Sequence, residues 1–246
     1  MAQKIELSPW DRYAILGKSG TGKTSFTTVL AAVLSTGFNE RQRVMWVQTK
    51  DDPKDLARLR AWGYRRIELR QVGSKSDPKQ FLFLKDVPGE MAVSEKIQRV
   101  CRWALRRKHV VLVLDEYAHA IMSSVNAGFD LRNLHKTGRG AFAGLVGLTQ
   151  EPAYIPRQLF SQSCHLFIFR LTHIPDIKTA RTMLPEYDPD QMGRFGFWYR
   201  WIDGPPGPAS RWRYYRDTQD WLDQLGLARL LEPEPESAVD TAAAAR

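Results

Sequence analysis

Tyr13-Ala-Ile-Leu-Gly17-Lys-Ser-Gly-Thr-Gly-Lys-Thr24 is the stretch on which the fold turns. A short apolar run reads as a buried strand, and it stops at a glycine. The loop that follows, Gly-x-x-x-x-Gly-Lys-Thr, opens directly into a helical stretch, Thr24 to Ser35. Strand, glycine-rich loop and helix in that order make a phosphate cradle. Glycines let the backbone wrap closely round an anion, while successive N–H groups and the helix N-terminus supply positive potential. Gly17, Lys18, Ser19, Gly20, Thr21, Gly22, Lys23, Thr24 and Ser25 are the expected nucleotide-binding residues. Lys23 should reach the β- and γ-phosphates, and the Thr24 hydroxyl should hold Mg²⁺, so ATP and Mg²⁺ are the expected ligands.

Outward from this loop the chain alternates. Val44–Val47, Val110–Leu114 and Ala143–Leu148 are further apolar runs of the kind buried on both faces of a parallel sheet. Between them lie helical stretches, Pro53–Trp62, Val93–Lys108 and Asp130–Thr137, which is the pattern of an α/β layered sheet. Leu166–Phe169 extends the sheet, while Ile67–Leu69 and Phe81–Leu84 are strand-like without a clear place in it. After Asp176 the character changes. Ile177–Leu184 reads as a short helix, Gly196–Trp201 and Arg211–Tyr215 as an aromatic hairpin round a Pro/Gly loop at 203–209, and Thr218–Leu231 as a last helix. One ATPase domain over 1–231, with its core at about 12–170, and a disordered acidic and alanine-rich tail over 232–246 are expected. No internal repeat is visible.

A second chemical signal is His109-Val-Val-Leu-Val-Leu-Asp115-Glu116. A buried strand ending in two carboxylates sets them at its C-terminal edge, where ligands bind in open α/β sheets. Asp115 is expected to bind Mg²⁺ through its water shell, and Glu116 to polarise the attacking water as general base. A third is Gly138-Arg139 before a strand that ends in Thr149-Gln150, followed by Glu151-Pro-Ala-Tyr-Ile-Pro156.

Taken in order, P-loop, Asp115-Glu116, Gly138-Arg139 and Thr149-Gln150 resemble the FtsK–HerA superfamily of DNA-pumping ATPases. The resemblance covers about residues 12–170. It implies a RecA-like P-loop NTPase with an extra strand between the P-loop strand and the Asp-Glu strand. That strand would carry Gln150 as a sensor near the γ-phosphate. It also implies that Arg139 acts in trans on a neighbouring subunit's nucleotide, with Arg132 as second candidate, in a ring homo-oligomer, with a hexamer as the expected form. Gln48-Thr-Lys-Asp-Asp52 departs from the Asp-Pro-Lys type of turn common in the superfamily. A chain that is almost only the ATPase core is similar to the genome-packaging ATPases of tailless icosahedral viruses with double jelly-roll capsids. The partners implied are double-stranded DNA and capsid or portal-vertex proteins, in the host cytoplasm or at a virion vertex. The alternatives are a cellular or plasmid HerA/coupling-type translocase, a protein-binding assembly or export ATPase of filamentous-phage type, and a virion subunit with vestigial nucleotide binding.

Composition agrees without deciding. The chain of 246 residues is 43% hydrophobic and 26% charged, which excludes a disordered polymer. Its formal charge is +9, and residues 1–231 carry 35 Lys and Arg against 23 Asp and Glu, or +12, which fits a polyanionic partner. Two cysteines, Cys101 and Cys164, cannot make a disulfide framework and suit a reducing compartment. The longest uncharged run, residues 24–39, is too short for a membrane span. His119, His135, His165 and His173 have no metal-ligand spacing and read as structural. Arg65, Arg66, Arg99, Arg102, Arg106, Arg107, Lys108, Arg194, Arg200, Arg211, Arg213 and Arg216 could line a DNA channel but are more simply solvated. Trp198, Trp201 and Trp212 fit core packing better than base stacking.

Overall fold

The computed structural model describes residues 6–36, 42–73, 78–121, 127–202 and 211–227. β1 (Arg12–Leu16) leads into α1 (Lys23–Thr36), and β2 (Arg43–Gln48) into α2 (Pro53–Ala61). β3 (Arg65–Ile67) and β4 (Lys79–Phe83) precede α3 (Val93–Arg107), and β5 (Val110–Leu114) precedes α4 (Phe129–Thr137). β6 (Ala143–Thr149), α5 (Gln158–Ser161), β7 (His165–Phe169) and α6 (Ile174–Met183) follow, then the hairpin β8 (Phe197–Trp201) and β9 (Arg213–Tyr215), and α7 (Thr218–Leu225).

The nine strands among the described residues share one sheet in the order β3-β4-β2-β5-β6-β1-β7-β8-β9. β1 to β7 run parallel, and β8 and β9 are antiparallel additions at one edge. The two strand-like segments left unplaced by the sequence are β3 and β4, at the other edge. β6 lies between β1 and β5, which is the inserted strand that the resemblance implied.

The apolar runs account for the layering. Ala14, Leu16, Met45, Val47, Leu112 and Leu114 face a core built with Ile97 and Val100 of α3 and Leu131 and Leu134 of α4. Their alternates, Tyr13, Ile15, Val44, Trp46, Val111 and Val113, face a second core with Phe26, Leu30 and Leu34 of α1 and Trp221 of α7. Both sheet faces are therefore covered, as near-continuous apolar strands require. Phe26 sits in an aromatic nest, 4.7 Å from Phe167 and 5.1 Å from Trp221 between ring centroids. Burying that one side chain contributes roughly 2–3 kcal/mol, and it fixes α1, and with it the P-loop, against the sheet.

The last helix is shorter than expected. It stops at Leu225 instead of Leu231, because Gly226 takes the left-handed conformation (φ 68°) and its N–H turns back to the Leu222 carbonyl. A glycine in that role ends a helix. The 203–209 loop and the 232–246 tail lie outside the described residues. Among the described residues no helix is long and apolar enough to cross a membrane.

Because β1, β6, β5 and β2 are parallel, Gly17, Gln150, Asp115 and Thr49 all emerge at one edge of the sheet. Asp11, His109, Arg139 and His165 gather at the opposite edge.

Candidate nucleotide-binding site

The loop 17–22 is tied down at both sides before it turns into α1. The Gly17 N–H donates to the Thr149 carbonyl (3.2 Å), and the Lys18 N–H to the Arg170 carbonyl (3.0 Å). A Cβ on Gly17 would come within 2.5 Å of the Phe169 Cβ, so a side chain there would push the loop off the sheet. The Thr21 hydroxyl donates to the Lys18 carbonyl (2.8 Å), and so does the Lys23 ammonium (2.7 Å). The first turn of α1 carries no acidic residue, which leaves the positive end of its dipole to an anionic ligand.

A cleft of about 300 Å³ opens over this loop. Ser19, Gly20, Gly22, Lys23, Thr24 and Ser25 form its floor; Asp115 and Gln150 enter from the neighbouring strand ends. Sequence-predicted residues from three separate segments thus meet at one place. Glu116 lies next to Asp115 and is 6% exposed.

The electrostatics are those of a crowded charged site. Burial is the largest influence on Asp115 and pushes its carboxyl up to about 6, against the pull of the Lys50 and Lys23 ammonium groups. Burial and the nearby Lys50 lower Lys23 to about 8, although Glu116, Asp115 and Asp55 act the other way. Lys50 lies 2.9 Å from one Glu116 carboxylate oxygen, while the other, Oε1, is buried with no hydrogen-bond partner among the described residues. A buried carboxylate with one oxygen held and one unpartnered is suited to take a proton from water.

Lys50 was not singled out by sequence. It arrives through Gln48-Thr-Lys-Asp-Asp52, the turn that departs from the superfamily pattern. β2 and β5 pair with Val47 opposite Leu114, so the residues just past β2 lie beside Asp115 and Glu116. The last residue of that turn, Asp52, and Lys54, Asp55 and Arg58 of α2 line the cleft as well, with Arg58 bound to Asp55 at 2.7 Å. Phe195, also unforeseen, lines the cleft too.

The donor set suits Mg²⁺. Thr24 and Asp115 offer two hard oxygen ligands at one cleft, and among the described residues no group of three His, Cys, Asp or Glu could hold a metal alone. An ion that keeps most of its waters and shares the nucleotide's phosphates needs no more than this.

Arg139 and Arg132 are elsewhere. Arg139 stands at the opposite edge of the sheet, where its guanidinium donates twice to Asp11 Oδ1 (3.0 and 2.5 Å) and once to Cys164 Sγ (3.2 Å). Its side chain is half exposed, whereas that of Asp11 is buried. Asp11 Oδ2 also faces the buried His165 at 3.0 Å. Arg132 is exposed on α4, with its Nε donating to the Gly128 carbonyl (3.2 Å).

A family model described as an AAA domain matches residues 10–141, more than half of the chain. The chain belongs to the AAA domain family. No curated protein matches this AAA-domain chain in sequence. Its fold is similar to the genome-packaging NTPase B204 of Sulfolobus turreted icosahedral virus 2 in complex with ATP-gammaS: TM-score 0.64 at 12% identity, covering 85% of this chain and 98% of that one. B204 of Sulfolobus turreted icosahedral virus, a DNA-packaging ATPase, gives a TM-score of 0.61 at 14% identity, covering 86% and 99%. VirB4 of Thermoanaerobacter pseudethanolicus gives 0.57 at 10% identity, covering 85% and 92%. At these identities the likeness is one of fold: a mainly parallel P-loop NTPase sheet. It fits the FtsK–HerA resemblance.

Proposed function

We propose that the AAA-domain chain is a Mg²⁺-dependent ATPase that translocates double-stranded DNA and packages a viral genome into a preformed capsid. The observation that carries this reading is the placement of Gln150 just past the end of a strand inserted between the P-loop strand and the Asp115-Glu116 strand. Likeness in fold to B204 over nearly its whole length supports the packaging role.

The chemistry follows from the cleft. Backbone N–H groups of residues 18–23 and the Lys23 ammonium hold the β- and γ-phosphates. Thr24 and Asp115 would hold Mg²⁺, which supplies charge neutralisation on the phosphate oxygens when bound. Glu116 Oε1 accepts a proton from the water that attacks the γ-phosphorus. Lys50 holds that carboxylate in place through its other oxygen. Gln150, which lines the same cleft as Lys23 and Asp115, exchanges hydrogen bonds when the γ-phosphate leaves and passes the change along Glu151–Pro156.

β1 is five residues long, so Arg139 lies roughly 17 Å from its own P-loop at about 3.3 Å per residue. Its catalytic role is therefore in trans, in a ring, for which we take a hexamer as the working form. Arg132 is the alternative finger. The ring would sit at a capsid vertex in the host cytoplasm. A conjugative or secretion ATPase is the second reading, favoured by the likeness in fold to VirB4.

The test is ATP hydrolysis by wild type, Glu116→Gln and Arg139→Ala, with and without duplex DNA. Duplex DNA should stimulate wild type, and Glu116→Gln should lose about 10²- to 10⁴-fold. Mixing the two variants should recover part of the activity, since some interfaces then combine two intact halves. Activity that survives Glu116→Gln and ignores DNA overturns the reading.

A further inference from the structure

We infer that Phe195 is the platform on which the purine base of the nucleotide stacks, and that the aromatic hairpin β8–β9 exists in part to hold it there. The inference rests on the nucleotide-binding reading of the cleft and adds the part of the ligand that the phosphate chemistry leaves open.

The cleft has a direction. Glu116, Asp115 and Gln150 lie on the β5 and β6 side of the P-loop, so the γ-phosphate must sit there. The rest of the nucleotide trails away from the reacting end, across β1 and toward β7 and β8. Phe195 is the one aromatic side chain among the described residues that line the cleft, and it precedes β8, on that side of β1. The register explains how it gets there. β8 pairs antiparallel with β7, Phe197 opposite Phe169, so the chain just before β8 lies on the same edge as the P-loop.

The ring is placed for contact and not for core packing. It is 51% exposed, as Phe129 and Phe142 also are in large part, but of the three it alone lines the cleft. Its Cδ1 would lie 3.2 Å from a Cβ built on Gly22, so it borders the loop directly. The Arg194 guanidinium stands 5.2 Å from its centroid, a cation–π contact on the ring.

The support beneath it comes from the hairpin. The Gly193 N–H donates to the Tyr214 hydroxyl (3.0 Å), and the Gly196 N–H to the Gly193 carbonyl (3.1 Å), closing a tight turn around residues 194 and 195. A Cβ on Gly196 would meet the Tyr214 hydroxyl at 2.1 Å, so only glycine lets this turn lie against β9. Tyr214 is in turn packed on Trp198, 5.5 Å between centroids. Phe195 contacts the ligand; Tyr214 is a positioning residue.

The experiment measures binding of ATP and of inorganic tripolyphosphate, which has the phosphates and no base, to the full chain. Phe195→Ala should weaken ATP about tenfold, within the range for loss of one base–aromatic stack, and leave tripolyphosphate unchanged. Phe195→Trp should restore ATP affinity, and its added indole emission should be quenched by ATP and not by tripolyphosphate. Tyr214→Phe should weaken ATP about twofold to threefold without touching tripolyphosphate. Unchanged ATP affinity in Phe195→Ala overturns the inference. Equal weakening of both ligands also overturns it, since Phe195 would then only prop the loop. If wild type binds tripolyphosphate as tightly as ATP, the phosphate cradle stands and base stacking falls. If it binds neither, the nucleotide reading itself falls.

Discussion

Arg139→Ala is the decisive substitution for action in trans, and the structure shows why it must not be made alone. The Arg139 guanidinium is bound to a buried Asp11 carboxylate. Burial alone would raise that carboxyl, but His165 and Arg139 outweigh it and hold it below its ordinary value. Removing the arginine strips Oδ1 of the two N–H donors that it has among the described side chains. Breaking a fully buried ion pair costs about 3–5 kcal/mol. Arg139 is half exposed, so solvent screens its share and about 2 kcal/mol is the better figure. At about 2–4 °C per kcal/mol for a chain of this size, Tm should fall by about 4–8 °C. Asp11→Asn removes the charge that needs a partner, so the double variant Asp11→Asn/Arg139→Ala should regain most of that loss. Hydrolysis separates the two roles. If Arg139 stabilises transition-state charge in a neighbouring subunit, turnover should drop about 10³-fold or more in both the single and the double variant. Melting curves and ATPase rates at 20 °C, well below either transition, read the two effects independently. Turnover that returns with stability in the double variant would reduce Arg139 to a structural clamp and move the finger to Arg132 or elsewhere.

Other consequences concern the strand ends. His135 is buried, bonded to the Tyr117 hydroxyl at 2.8 Å, and burial together with Arg12 lowers it to about 4. The unfolded chain therefore binds its proton first: the stability that neutral His135 confers is complete above about pH 6.5 and is lost as pH falls toward 4. Urea unfolding should show the advantage of wild type over His135→Gln shrinking by about 2 kcal/mol between pH 7.5 and pH 5; a constant gap would contradict the assignment. At the cleft, Lys50→Met removes the cation that holds one Glu116 oxygen at 2.9 Å, so the carboxylate loses its anchor and turnover should fall about tenfold. Lys50→Arg should keep most of the wild-type turnover, and unchanged turnover in Lys50→Met would deny Lys50 that role.

What the sequence made legible is what the chain writes locally. The P-loop declares itself because its glycines, lysine and threonine sit within eight residues, bounded by a strand and a helix. Asp115 and Glu116 declare themselves because five apolar residues run straight into them. The end of α7 was equally local: Gly226 stood in the sequence as a stop, and the apolar residues beyond it drew the expected helix too far. The residues that were missed depend on which strands are neighbours. Lys50 acquires meaning only when β2 lies against β5, and its turn looked like a mere departure from a pattern until that pairing placed its ammonium on Glu116. Phe195 depends on the antiparallel return of β8 along β7, and Asp11 on a partner 128 residues away. Charge shows the same limit. The surplus of cations marks the chain as a partner for polyanions, yet the cations that act in the cleft, Lys23 and Lys50, are partly or wholly withdrawn from solvent and opposed by Asp55, Asp115 and Glu116. Net charge therefore bears on the long-range attraction of DNA, whereas hydrolysis depends on a handful of charges whose balance is set by strand order.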